Sequence, residues 1–218
     1  MKPYIITTPG LIKFLLRNWI WSFSKKEKNI YLTFDDGPTP EITEWVLDLL
    51  KKFQAKATFF CIGKNVKQHP HIFEKIINNG HSIGNHTYNH LKGSKTDINP
   101  YIDDVVLTEM EFEKNSTLNN QNLKLFRPPY GKITLKQGKK IRSLGYKIIM
   151  WDVLSADFDT SIPRIQCLNN VIKHTDNGSI IVFHDSIKAA EKVKYVLPKI
   201  LDYYTMKGYK FKRIAALN

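Results

Sequence analysis

Two histidines, His86 and His90, stand four residues apart in the run His-Thr-Tyr-Asn-His. At that spacing two imidazoles can share one face of a helical turn and bind one metal ion. The pair alone is weak evidence, because seven histidines in 218 residues make such a spacing unsurprising by chance. A carboxylate delivered from another part of the chain would complete a set of two histidines and one acid, with a position left for water. Asp35-Asp36 offers that carboxylate. The pair precedes Gly37-Pro38, so taken by itself an ordinary turn after a strand is the better account of it. In the functional reading one acid binds metal and its neighbour takes a proton from water. Two like charges this close are costly unless a cation compensates, and a metal ion together with Arg127 would do so.

Three further groups can join this chemistry. Arg127-Pro128-Pro129-Tyr130-Gly131 is a stiff turn: the prolines fix φ and the glycine allows close backbone approach, so an arginine and a backbone N–H can be held in place. His184 follows the apolar run Ile180-Ile181-Val182-Phe183, where a side chain with a reference pKa of ~6.5 can act as a general acid. Asp152 and Asp157 lie after another β-prone run. His81 sits in an apolar alternation and reads as a core histidine. Cys61, after Ala57-Thr58-Phe59-Phe60, reads as a buried strand residue. Two distant cysteines, Cys61 and Cys167, form neither a disulfide framework nor a zinc ribbon.

These groups need a scaffold, and the pattern around them supplies one. Strand-like runs at 29–34, 56–62, 81–84, 123–126, 146–150, 179–183 and 209–211 alternate with helix-like runs at 41–53, 70–79, 100–115, 134–144, 162–174 and 188–206. Alternation of this kind predicts the α/β class, with a parallel sheet and helices outside it, as a small barrel or a doubly wound sheet. In both, active sites gather where strands end. Asp35-Asp36, His86/His90, Arg127–Gly131, Asp152/Asp157 and His184 each follow a strand run. The length suits a single domain, residues 29–218, behind an N-terminal extension, residues 1–28.

The net charge of +13 admits anionic partners, but the lysines are scattered or paired, not gathered in a stripe, so no nucleic-acid partner is expected. The apolar stretch 11–21 is broken by Lys13, Arg17 and Asn18, which leaves it too short for a membrane span of ~20 residues and without the form of a signal peptide. Packing on the domain is its favoured reading, and peripheral membrane contact as an interfacial amphipathic helix is the second. Localisation and oligomeric state are not legible.

Thr33-Phe34-Asp35-Asp36-Gly37, His86–His90, Arg127–Gly131 and Val182-Phe183-His184, in this order, resemble the signatures of the polysaccharide deacetylases, the carbohydrate esterase family 4 or NodB-homology enzymes. The resemblance implies a distorted (β/α) barrel of about seven parallel strands. It implies one divalent metal, zinc foremost with cobalt or nickel as alternatives, on Asp36, His86 and His90. Asp35 would be the base steadied by Arg127, the Tyr130 N–H an oxyanion donor and His184 the acid. The substrate would be an N-acetylated glycan, peptidoglycan or chitin-like, losing acetate. Such substrates usually lie in the cell envelope. The family's Asp-x-x-Asp-Trp is here Leu154-Ser155-Ala156-Asp157-Phe158, so Asp157 stands at the second acid while Leu154 and Phe158 depart. Two alternatives accompany this reading: a hydrolase of the same fold acting on another amide or an O-acetyl ester, and a non-catalytic glycan-binding module.

Overall fold

The computed structural model describes residues 4–115 and 124–215. Its centre is β1 (Asn29–Asp35), flanked by β2 (Ala57–Cys61) and β7 (Ile180–His184). The sheet continues through β3 (Ser82–Asn85), β4 (Leu125–Phe126) and β5 (Lys147–Ile148) on one side and β6 (Val153–Leu154) on the other, giving the order β5-β4-β3-β2-β1-β7-β6 with all pairs parallel. A last strand, β8 (Lys210–Phe211), pairs in parallel with the start of β1. The seven strands curl into a distorted half-barrel, as expected from the motifs.

Period two explains how one sheet builds two cores. Ile30, Leu32, Phe34, Phe59, Ile181 and Phe183 point toward the outer helices. Tyr31, Phe60, Leu125, Ile149 and Ile180 form a separate inner cluster. Because β2 is buried along its whole length, its sequence reads as a continuous apolar run and not an alternation. The outer helices follow the strands: α2 (Ile42–Lys52), α3 (Gly63–Gln68), α4 (Pro70–Asn78), α5 (Ile98–Asn115), α6 (Leu135–Ser143), α7 (Arg164–Ile172) and α8 (Ala190–Met206). In α2, Ile42, Val46, Leu47 and Leu50 are buried, while Trp45, Leu49 and Phe53 pack at the margin of the core.

The sequence pattern locates most elements to within a few residues and misses two. The short helix α3 lies in a polar stretch, and β6 is a two-residue strand directly after β5. The start of the strand expected at 123–126 falls at residue 123, outside the described residues.

The leading segment closes the seam between β5 and β6, the two ends of the curled sheet. Thr7 bridges Val153 in antiparallel fashion, Ile20 bridges Ile149 in parallel, and Ser22 bridges Ser179. Trp19 and Trp21 are buried and stacked 6.2 Å apart, in a cluster with Tyr101, Phe126 and Met150. Both exposed sheet edges are thereby paired, which removes the hazard of unpaired strand ends. Between the bridges runs a six-residue helix, α1 (Gly10–Leu15).

Candidate active site

Arg127 follows β4 and reaches back into the barrel, where it is fully buried. Its Nη1 donates to Asp35 Oδ1 and to Thr33 Oγ1, both at 2.7 Å. Its Nε and Nη2 donate to the carbonyls of Ile149 (3.2 Å) and Met150 (2.9 Å), at the β5–β6 seam. The guanidinium also lies 4.1 Å above the Phe60 ring. One side chain therefore ties the end of β1 to the seam where the two ends of the curled sheet, β5 and β6, meet. Burial pushes the Arg127 pKa down, and the Asp35 carboxylate opposes that push.

Asp36 leaves the strand in a left-handed conformation, with φ of 80°. That conformation turns its carboxylate away from Asp35 and toward the histidines. The His86 and His90 Nε2 atoms lie 3.7 and 3.2 Å from Asp36 Oδ1. One ligand atom from each of the three residues falls within a group spanning at most 4.8 Å. The histidines do not share a helical turn. Thr87 and His90 both have positive φ, so a non-helical turn brings the rings to 5.1 Å. Polar partners hold that turn: Asp104 Oδ2 accepts from the Tyr88 and Asn89 N–H groups, and Asn85 Oδ1 accepts from the Thr87 N–H.

The donor set fits a metal ion. His86 Nδ1 lies 2.7 Å from the Arg127 carbonyl oxygen, which can only accept, so the proton is on Nδ1 and the Nε2 lone pair faces Asp36. Burial lowers the His86 pKa to about 4, keeping the imidazole neutral and able to ligate. Burial would raise the Asp36 carboxyl, but the close approach of His90 and the positive charge of His184 outweigh it and hold the group well below the usual range. Asp36 Oδ1 is nonetheless buried without a hydrogen-bond partner, an orphan of the kind a cation satisfies.

Across the cleft, Asp157 grips His184 twice. Its Oδ2 accepts from the His184 backbone N–H and its Oδ1 meets His184 Nδ1, each at 2.7 Å. Burial alone would lower the His184 pKa; the charge and hydrogen bond of Asp157, with Asp36 and Asp35 behind, raise it to about 10. The imidazole is thus protonated at neutral pH. Phe158 packs edge-on against His184, and Tyr4 packs edge-on against Phe158. Leu154 is buried and lines the cleft.

Asp35, Asp36, His86, His90, Tyr130 and His184 all line one cavity of about 760 Å³. Arg127 and Asp157 stand behind it, each fully buried against the residue it holds. Tyr130 has φ of 60° and sets its ring 4.6 Å from that of His90. Gly131 must be glycine, since a Cβ there would meet Trp151 at 2.6 Å and φ is positive. Asp152 turns away from the cleft: it pairs with Lys13 and accepts from Ser179. His81 accepts from the Ala57 N–H in the core.

Beyond Arg127, sequence reasoning gave no role to three residues that brace the site. Asp185 accepts from Gly37 N–H (3.1 Å) and Thr43 Oγ1 (2.6 Å), and so clamps the turn that carries Asp36. Asp104 and Asn85 were also unseen. Adjacency to His184 was the one signal available for Asp185; Asp104, inside a helix, gave none.

The sequence profile of the polysaccharide deacetylase family matches residues 23–149. The chain is 35% identical to a peptidoglycan-N-acetylglucosamine deacetylase of Bacillus cereus, over 90% of this chain and 91% of that protein. It is 32% identical to a chitooligosaccharide deacetylase of Azorhizobium caulinodans, covering 74% of this chain and 76% of that one. A peptidoglycan N-acetylglucosamine deacetylase solved with a naphthalenyl-N-hydroxybenzamide superposes with a TM-score of 0.85 at 31% identity, over 95% of each chain. With the same ordered residues converging on one cleft of the same curled barrel, the chain belongs to the polysaccharide deacetylase family.

Proposed function

We propose that the protein is a metal-dependent hydrolase that removes N-acetyl groups from amino sugars of an envelope glycan, peptidoglycan or a chitin-like oligosaccharide, releasing acetate. The observation that carries this reading is the convergence, in one cavity, of the Asp36–His86–His90 cluster with the Arg127-held Asp35 and the Asp157-held His184. A simple binding module has no need of all three.

Asp36, His86 and His90 would hold one divalent ion, zinc foremost, with cobalt or nickel fitting the same donors. When bound, the ion polarises the acetyl carbonyl and makes water a better nucleophile. Asp35 takes the proton from that water; Arg127 pins one carboxylate oxygen, which leaves the other to work. As the carbonyl carbon becomes tetrahedral, the Tyr130 backbone N–H stabilises the charge growing on oxygen, a role that the strained turn at residues 128–131 suits. The amide nitrogen leaves poorly unless protonated. His184, carrying its proton on the far side of the cleft, donates it, and Asp157 stabilises and orients the imidazolium. The products are acetate and a free amino sugar.

The test is acetate release from N-acetylglucosamine oligomers by the chelated protein, with and without added zinc, for the wild type and Asp35→Asn. Release restored by zinc in the wild type alone is the expected result. Release that persists after complete chelation, or that Asp35→Asn retains in full, would overturn the reading.

A further inference from the structure

The apolar stretch at 11–21 is only half used by the fold. Its inward residues Ile12, Leu16, Trp19 and Trp21 pack on the domain or line the cleft. Leu11, Phe14 and Leu15, at i, i+3 and i+4 on α1, face solvent. They have company. Among the described residues eight large apolar side chains are at least 58% exposed: Ile5, Leu11, Phe14, Leu15, Tyr130, Leu135, Ile187 and Met206. Ile5 and Tyr130 line the cleft, Ile187 lines the adjoining pocket beside Asp36, and Pro9, just before α1, and Ile12, on it, line the cleft as well. The eighth, Met206, ends α8 just before β8 and so lies at the opposite end of the barrel. Scattered exposed hydrophobics are ordinary, but three neighbours on one face of a helix whose other face lines the cleft through Ile12 mark a surface that meets something apolar.

Charge says what that is. Residues 1–26 carry five basic side chains and no acid; the first acid in the chain is Glu27. Arg17 is exposed two residues after α1, and Lys132 and Lys188 are exposed where they line the cleft. Short apolar side chains interleaved with cations are the composition of a surface that lies in the interface of an anionic bilayer. A second copy of this chain is a poor occupant, because each copy carries +13. No helix among the described residues is long and apolar enough to cross a membrane, so the contact would be peripheral.

We propose that the outer face of α1, carrying Leu11, Phe14 and Leu15 beside the cleft that Ile12 lines, docks on the surface of an anionic lipid bilayer. The docked cleft opens at the level of the headgroups, and its substrate, on the deacetylase reading, is then glycan held close to the membrane.

The experiment is co-sedimentation of the full chain with vesicles of phosphatidylcholine alone and of equal parts phosphatidylcholine and phosphatidylglycerol. Wild type is compared with Leu11→Ser/Phe14→Ser/Leu15→Ser and with Arg17→Glu. The expected result is binding to the anionic vesicles that falls on the order of tenfold in the triple variant and less in Arg17→Glu, as burial and charge both contribute. Circular dichroism and hydrolysis of short oligomers should be unchanged, since none of these side chains belongs to the catalytic set; this separates failure of docking from failure of the enzyme reading. Wild type that stays in the supernatant with both vesicles would overturn the proposal. So would vesicle binding that the triple variant keeps, which would report net charge alone. Light scattering that finds a wild-type dimer, monomeric in the triple variant and indifferent to lipid, would assign the patch to self-association instead.

Discussion

The two walls of the cleft are built differently. The wall formed by the ends of β1, β3 and β4 carries Asp35, Asp36, His86, His90 and Tyr130, and it is locked from behind by buried hydrogen bonds. Arg127, Asn85, Asp104 and Asp185 each hold a turn of this wall by its polar groups. Three of its residues, Asp36, His90 and Tyr130, sit at positive φ, a conformation costing of order 1–3 kcal/mol each in residues with a side chain. The facing wall, from β6, β7 and the leading segment, has a single carboxylate–imidazole pair, His184–Asp157. Around it the contacts are apolar or aromatic: Leu154, Phe158 and Tyr4. The first wall spends backbone strain on holding several polar atoms at fixed points. The second holds one oriented imidazole, and the rest of it is apolar or aromatic. The departures from the family pattern at Leu154 and Phe158 fall on this wall, where His184 keeps both of its contacts to Asp157.

The contrast can be tested from its strongest consequence downward. Asp36→Ala should abolish metal retention, read by elemental analysis after dialysis, and acetate release with it. A variant that keeps both would remove Asp36 from the metal set. Asp35→Asn, which preserves shape, should retain metal yet lower kcat by ~10²–10⁴. Equal loss of metal would instead mark Asp35 as a ligand.

Arg127→Met tests the brace. It leaves Asp35 buried beside Thr33 without its cation and frees the Ile149 and Met150 carbonyls. Destabilisation of ~3–5 kcal/mol in denaturant melts is expected. A change under ~1 kcal/mol would show that the β5–β6 seam does not depend on it.

Asp157→Asn probes the sparser wall. His184 has its pKa raised, so its proton stays on through neutral pH and is lost only near 10. Without the carboxylate charge the proton should leave earlier, moving the alkaline limb of the rate profile to lower pH, toward the ordinary histidine value of ~6.5. An unmoved limb would mean that another group donates the proton. The smallest effect belongs to Tyr4→Ala, which removes an edge contact to Phe158 and nothing polar from His184; a change in KM of a few-fold, with kcat held, is the outcome that fits. A collapse of kcat would make the leading segment part of the proton-donor wall.

Much of this site was legible because each chemical residue follows a strand run, and β1, β2 and β7 are long enough to declare themselves. The parallel α/β scaffold and the convergence of strand ends follow from hydrophobic period alone. The sequence also marked Asp157 as a surviving acid, though not what it would hold. What it could not give were the turns. His86 and His90 meet through positive φ at Thr87 and His90, a backbone state that residue type disfavours and that only the surrounding hydrogen bonds enforce. Arg127 as the seal of the sheet seam depends on carbonyls more than twenty residues away, and Tyr4 meets Phe158 across some 150 positions. Residue types and local periodicity determined the chemistry available and the class of scaffold. The tertiary structure decided which groups share a cleft, which are buried enough to shift their protons, and which face of the leading segment is left to solvent, because burial and long-range hydrogen bonding are properties of the packed chain and not of any window along it.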